Sequence, residues 1–96
     1  MPRVIRTAQA REDVLDIWLF VAADNVTAAD HLIVRLDGVV RLLAEQPRLG
    51  SPQDKFRVGL RCIAVERYLI FYEPLNDGIC VLRILHSARH WIDLIP

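Results

Sequence analysis

The stretch from Phe56 to His86 constrains the fold most, because it holds three short apolar runs, Phe56 to Ala64, Tyr68 to Leu75 and Ile79 to His86, separated by turn-forming residues. Runs of this length and composition predict three consecutive strands, and Asn76-Asp77-Gly78 is the strongest turn signal in the chain. Arg61, Tyr72 and Arg83 are spaced eleven positions apart. Two-residue turns centred on Glu66-Arg67 and Asp77-Gly78 would therefore set Arg61 opposite Tyr72 and Tyr72 opposite Arg83, in one row on one side of the sheet. Such a row suits a carboxylate or a phosphate: guanidinium forks bind either anion through paired hydrogen bonds, and a phenol beside them can donate another or stack. It could equally be a set of solvated arginines on an open sheet face. In this register Cys62, Leu69, Phe71, Leu82 and Ile84 share one face, predicted to pack against helices. Ile63, Ile70, Val81 and Leu85 share the other face with the arginine row. That second face is unusually apolar for a solvated surface, which predicts a partner that covers it.

The N-terminal half supplies the helices. Arg3 to Arg6 reads as a first strand, ending at Thr7, a residue suited to cap a helix. From about Ala10 to Ala23, Val14, Leu15, Trp18, Val21 and Ala22 recur at helical spacing, and Ile17 and Phe20 widen the stripe, so this helix is expected to bury more than one face, with Trp18 in the core. Asp24-Asn25 breaks it. Thr27 and Asp30 have the spacing of a capping box, with aspartate in place of glutamate, for a second helix. Ala29, Leu32, Ile33, Leu36, Val40 and Leu43 mark its buried stripe, Asp37 and Arg41 form an i,i+4 pair, and Pro47 and Gly50 end it. A connection of about three residues makes the two helices an antiparallel hairpin, and Ser51 to Lys55 forms a polar loop into the sheet. The expected architecture is α+β: an N-terminal strand and a two-helix antiparallel hairpin packed on a small antiparallel β-sheet, all in one domain spanning residues 1–96.

With 53% hydrophobic residues in 96, the chain is too apolar to be disordered. No apolar run approaches the ~18 residues that span a bilayer, and the start lacks the apolar core of a signal peptide, so the expected address is the cytoplasm, with no membrane partner. Twelve basic residues balance twelve acidic ones, which argues against strong direct binding of nucleic acid. Among the basic residues only Lys55 is not arginine, a bias toward planar, two-pronged contacts. Cys62 and Cys80 fall in the first and third predicted strands, roughly 9 to 10 Å apart and beyond disulfide reach, and both are expected to be small buried apolar residues. The spacing of histidine and cysteine supports no metal site, and nothing implies a cofactor.

Glu12-Asp13-Val14 with Ile17-Trp18, Pro47-Arg48-Leu49-Gly50, Gly59-Leu60-Arg61, Tyr68-Leu69-Ile70-Phe71-Tyr72 and Leu85-His86-Ser87-Ala88-Arg89 resemble, in order and spacing, the ParE/RelE superfamily of toxins from bacterial type II toxin-antitoxin systems, and ParE more closely. The resemblance spans nearly the whole chain. It implies the fold above and a toxin neutralised by a cognate, ParD-like antitoxin in a hetero-oligomer. ParE-like members poison DNA gyrase and block replication, whereas RelE-like members cut messenger RNA in the ribosome. One fold serves both, so the fold does not decide between them.

An RNA-cutting site needs a base, an acid and cations together. Arg61 and Arg83 could hold the phosphate, while Tyr72, His86 or Glu66 could handle protons. In the register above, however, His86 points away from the arginine row. RelE-like enzymes also resemble one another in a lysine-rich surface and a C-terminal tyrosine; here lysine is nearly absent and Trp91 stands in the tail. A gyrase poison needs only a binding surface, for which the candidates are Arg61, Tyr72, Arg83, His86, Arg89 and Trp91. Each has a plainer alternative: His86 as a polar residue bonded to backbone at a strand end, Arg89 as the partner of a carboxylate on the second helix, Trp91 as a seal over the sheet. A short acidic and apolar antitoxin segment laying carboxylates on Arg61 or Arg83 would complete the picture.

Overall fold

The computed structural model describes residues 2–95. Strand β1 (Arg3–Arg6) leads into helix α1 (Ala8–Ala22), helix α2 (Val26–Glu45), a two-residue strand β2 (Ser51–Pro52), and strands β3 (Arg61–Val65), β4 (Tyr68–Leu75) and β5 (Gly78–His86), followed by a 3-10 turn at Trp91–Leu94. The five strands form one sheet in the order β1-β5-β4-β3-β2, with the helices on one face. The expected helix hairpin and antiparallel meander are present, and β1 adds to the meander in parallel along β5.

Local chemistry explains the boundaries. Thr7 ends β1 and starts α1: its amide bonds the Val81 carbonyl, its hydroxyl oxygen accepts the Ala10 N–H at 3.0 Å, and its O–H donates to the Leu82 carbonyl at 2.7 Å. Helix α2 is capped by Asn25, whose side chain accepts the Ala28 N–H; Thr27, expected to be the cap, lies inside the helix. The predicted stripe of α2 is buried at Ala29, Leu32, Leu36, Val40 and Leu43. Asp37 pairs with Arg41 as expected, and also with Arg6 of β1. Helix α1 departs from expectation. It buries a single narrow stripe, Ala10, Asp13 and Ile17, and leaves Leu15, Leu19 and Phe20 exposed. Trp18 is half-buried, its indole N–H donating to Asp30 Oδ1 across the hairpin. Strand β3 begins at Arg61, five residues later than expected, because the chain from Gln53 to Leu60 closes on itself through Phe56 and Arg57 N–H bonds to the Gln53 carbonyl.

The first hairpin turn forms at Glu66-Arg67, so Arg61 pairs with Tyr72 as expected. The second turn is centred one residue earlier than expected, on Asn76-Asp77, because Gly78 belongs to β5. There the backbone of Arg3 comes so close that any Cβ would collide with it. A β-bulge at Leu82 then shifts the register: Tyr72 pairs with Val81 and Arg83 with Phe71. The predicted pairing of Tyr72 with Arg83 does not occur. An extra residue sends every later side chain of the strand to the opposite face.

The two sheet faces are also exchanged relative to expectation. Ile63, Ile70, Val81 and Tyr72 lie beneath the helices, while Cys62, Leu69, Phe71 and Leu82 face away from them. Ile84 and Leu85, beyond the bulge, are each reversed once more. The face away from the helices, expected to await a partner, is covered by the chain's own Trp91, Leu94 and Ile95.

The capping geometry has a direct test. Asn25→Ala should lower stability by about 1 kcal/mol in chemical denaturation, and Thr27→Ala by less than about half of that.

Candidate functional site

The residues singled out from sequence occupy three separate places. The first is the connection after α2. Tyr72, fully buried, donates its O–H to the Pro47 carbonyl at 2.8 Å and accepts the Gly50 N–H at 2.8 Å. Burial pushes its hydroxyl pKa up, and the Gly50 amide and the Arg61 cation oppose that rise. Arg61, half-buried beside it, donates Nη1 to the carbonyls of Gly50 at 2.6 Å and Arg48 at 3.1 Å. Gly50 is required here, since a Cβ would sit 2.6 Å from the Tyr72 oxygen.

The second place is the outer edge of β5, which β1 covers only as far as Val81. Beyond that point Asp13 of α1 takes over. Its Oδ2 accepts the Ile84 N–H at 3.0 Å and Arg83 Nε at 2.7 Å, while Oδ1 accepts Arg83 Nη2 at 2.9 Å. Arg83 Nη1 donates to the Leu94 carbonyl at 3.0 Å. Hydrogen bonding to Asp13 raises the Arg83 pKa further, against the opposing effect of burial. Among the described residues Asp13 is the only charged side chain that is buried. It belongs to the Glu12-Asp13-Val14 stretch of the resemblance but was not among the candidate site residues read from sequence, although Ala10, Asp13 and Ile17 fall on one helical stripe. A carboxylate on an apolar stripe is the signal that would have found it.

The third place is a groove of about 340 Å³ between α1 and the end of β5, lined by Asp16, Phe20, Tyr68, His86 and Arg89 among others. His86 packs edge-on against Tyr68, ring centres 5.3 Å apart, and its Nδ1 accepts the Ala88 N–H at 3.1 Å, the backbone-bonded role foreseen as its plainer alternative. It lies on the helix side of the sheet, at the opposite end of β4 from Arg61, roughly 13 Å along the strand by the usual rise per residue. Arg89 is exposed, and no ion pair joins it to α2 among the described residues. Trp91 packs at a tilt against Phe71, ring centres 4.9 Å apart, and edge-on against Phe56 at 5.0 Å, sealing the far face of the sheet.

The arrangement brings Arg61 and Tyr72 together and keeps Arg83 and His86 apart from that pair, while Asp13, the partner of Arg83, also lines the groove that holds His86. Both hydrogen-bonding roles of the Tyr72 hydroxyl are occupied, as are donors on all three Arg83 nitrogens. Glu66, the other proton-handling candidate, is exposed at a turn and paired with Arg35. Cys62 and Cys80 remain free, half-buried thiols, and burial pushes Cys62 up to about 11. Among the described residues no cluster of His, Cys, Asp or Glu could hold a metal ion, and no helix is long and apolar enough to cross a membrane.

A helix hairpin laid on a small, mostly antiparallel sheet, with Arg61 and Tyr72 clamping the connection that follows the hairpin, is the α+β architecture that the resemblance to ParE/RelE-like toxins implies. The comparisons with known proteins narrow this. Residues 4–91 match the family model described as the ParE toxin of the type II toxin-antitoxin system, parDE. Toxin ParE3 of Caulobacter vibrioides is 33% identical over 91 residues, covering 94% of this chain and 91% of that protein. Toxin ParE1 of the same organism is 27% identical over 83 residues, 85% of each. A chain from the chromosomal ParDE TA system of P. aeruginosa shares the fold, with a TM-score of 0.73 and 20% identity over 90% of this chain and 96% of that one. The chain belongs to the ParE family: it is the toxin of a type II toxin-antitoxin system and has an antitoxin as its partner.

The edge carboxylate and the half-buried Cys62 thiol each carry an expectation. Asp13→Ala leaves the Arg83 guanidinium without its counter-charge and should cost about 3 kcal/mol in urea denaturation, of which Arg83→Met in the same chain should restore a large part. Raising the Cys62 pKa from 9.0 to about 11 makes its thiolate roughly a hundredfold scarcer near pH 8. Alkylation of Cys62, followed by peptide mass mapping, should accordingly be about a hundredfold slower in the native than in the denatured protein.

Proposed function

We propose that this toxin is a non-catalytic poison of DNA gyrase that blocks replication in the cytoplasm and is neutralised by a cognate, ParD-like antitoxin. The observation that carries the reading is the dispersal of the groups an RNA-cutting site would need together. Arg83 is bound by Asp13 and Leu94, the Tyr72 hydroxyl is bound on both sides by main chain, and His86 stands at the other end of β4. Proton transfer from Tyr72 to a substrate would require breaking the connection after α2, whereas holding an intermediate of another enzyme requires only a surface.

The molecule offers such surfaces. Leu15, Leu19 and Phe20 form an exposed apolar strip on α1 that runs into the groove bearing His86 and Arg89. An acidic and apolar antitoxin segment fits this strip, with its carboxylates toward Arg89. Arg83, one of the two arginines expected to receive such carboxylates, already holds Asp13 and is not needed for the fit.

The test is to induce the toxin alone in bacteria and pulse-label DNA and protein synthesis, alongside a supercoiling assay with purified gyrase. Early arrest of DNA synthesis together with inhibited supercoiling is expected. Early arrest of translation with messenger cleavage, while DNA synthesis continues, would instead establish a ribosome-dependent endoribonuclease.

A further inference from the structure

The connection Pro47-Arg48-Leu49-Gly50 is held more firmly than a link between a helix and a two-residue strand requires. Tyr72 binds the Pro47 carbonyl and the Gly50 amide, Arg61 binds the Arg48 and Gly50 carbonyls, and the Leu49 amide donates to the Gln46 carbonyl. Three carbonyls and one amide of four residues are thus fixed by a fully buried phenol and a half-buried guanidinium, and a second amide by the end of α2. The side chains at the centre of the connection behave differently. Arg48 is exposed with no side-chain partner among the described residues, and Leu49 is 48% exposed. A rigid backbone that presents an arginine and the exposed half of a leucine to solvent is a display, since folding gains little from the parts of those two side chains that point outward.

The surroundings of Arg48 define what the display fits. Arg48 borders two clefts, one reaching Arg61 and Asp54 and the other Gln46 and Leu75, with Pro74 common to both. Neither acid of the first cleft pairs with Arg48 or Arg61 among the described residues: Glu73 pairs with Arg57 at 3.4 Å, and Asp54 accepts the Gly59 N–H at 2.9 Å through Oδ1. Arg61 uses only Nη1 for its two carbonyls. Arg48 and the remaining edge of Arg61 are therefore cationic donors still open to an anionic group, next to the apolar surface of Leu49 and Pro74.

We propose that the Arg48-Leu49 tip is the contact through which the toxin grips its protein target, a folded surface presenting a carboxylate beside an apolar pocket. The proposal rests on the reading of this chain as a toxin that acts by holding another protein. Rigidity favours a folded partner over the antitoxin segment. A pre-ordered tip loses little conformational freedom on docking against a fixed surface, and two residues are too short a purchase for a segment that wraps the molecule. The apolar strip on α1 lies on a different part of the surface, which lets the target and the antitoxin be separated by mutation.

Arg48→Glu and Leu49→Ser in the full chain test this, because neither changes a side chain that holds the connection in place. Three quantities are measured: growth arrest on induction, affinity for the cognate antitoxin by calorimetry, and the thermal unfolding midpoint. Each variant is expected to lose growth arrest, and to need at least about tenfold more protein for half-inhibition of gyrase supercoiling, while antitoxin affinity stays within about twofold and the midpoint is unchanged. Arg48→Lys should retain part of the activity, since it keeps the charge and loses the fork. Undiminished growth arrest would overturn the proposal, as would a loss of antitoxin affinity at an unchanged midpoint. Should the wild-type chain arrest growth without inhibiting gyrase, the gyrase reading fails on its own, and the growth assay of the variants still decides whether the tip is the target contact.

Discussion

One carboxylate holds the N-terminal and C-terminal parts of this molecule together. Strand β1 runs alongside β5 only to Val81, leaving the rest of β5 with an open edge, and Asp13 closes it by accepting the Ile84 N–H where a further strand would have done so. The same carboxylate binds Arg83, and Arg83 binds the Leu94 carbonyl, so α1, β5 and the C-terminal turn share a single polar junction. Removing a carboxylate from water carries a large desolvation penalty, and only several well-aligned donors offset it. Here there are three, two of them charged. The position of α1 on the sheet edge is set by that requirement as much as by the apolar contacts of Ala10 and Ile17.

The bulge at Leu82 makes the junction possible. Without the extra residue, Arg83 would lie on the side of the sheet beneath the helices, in line with Tyr72, and its guanidinium would compete for the space that Ile84 fills. With it, Arg83 starts from the opposite face and reaches around the open edge to Asp13. The bulge leaves the Leu82 carbonyl available, and Thr7, already the cap of α1, donates its hydroxyl proton to it. A single inserted residue thus separates the two arginines that looked equivalent in sequence. One clamps the connection after α2, and the other locks the edge.

The sequence was legible where its local signals were unambiguous. Thr7 as a cap, the stripe of α2, the Glu66-Arg67 turn and the facing of Arg61 and Tyr72 could all be read, because each depends on residues close together in the chain or on one short hairpin. The orientation of the sheet could not. Alternation identifies a buried face only when the other face is polar, and here both are covered, one by the helices and one by Trp91, Leu94 and Ile95. Gly78 misled in a different way. It resembled the second residue of a turn, but glycine is needed there because β1 passes so close, a contact with a residue seventy-five positions earlier that no local pattern carries. The dispersal of Arg61, Arg83 and His86 was hidden for the same reason, since one bulge and one distant carboxylate decide it.

The polar groups therefore have a common role that bears on how such a toxin can work. Arg61, Tyr72, Asp13 and Arg83 all bind main-chain atoms, and none of the four projects into the groove as an uncommitted acid or base. A catalyst needs groups that change protonation state at low energetic cost during turnover. These groups would each have to give up bonds that fix a helix end, a strand edge or the C-terminal turn. A protein that acts by holding has the opposite requirement, because every bond that immobilises its surface in advance lowers the entropy lost on docking. On this view the arginine bias of the chain is a structural device: planar forks with several donors join carbonyls and carboxylates from separate elements, a task for which the single lysine, with its point charge on a flexible stem, is poorly suited.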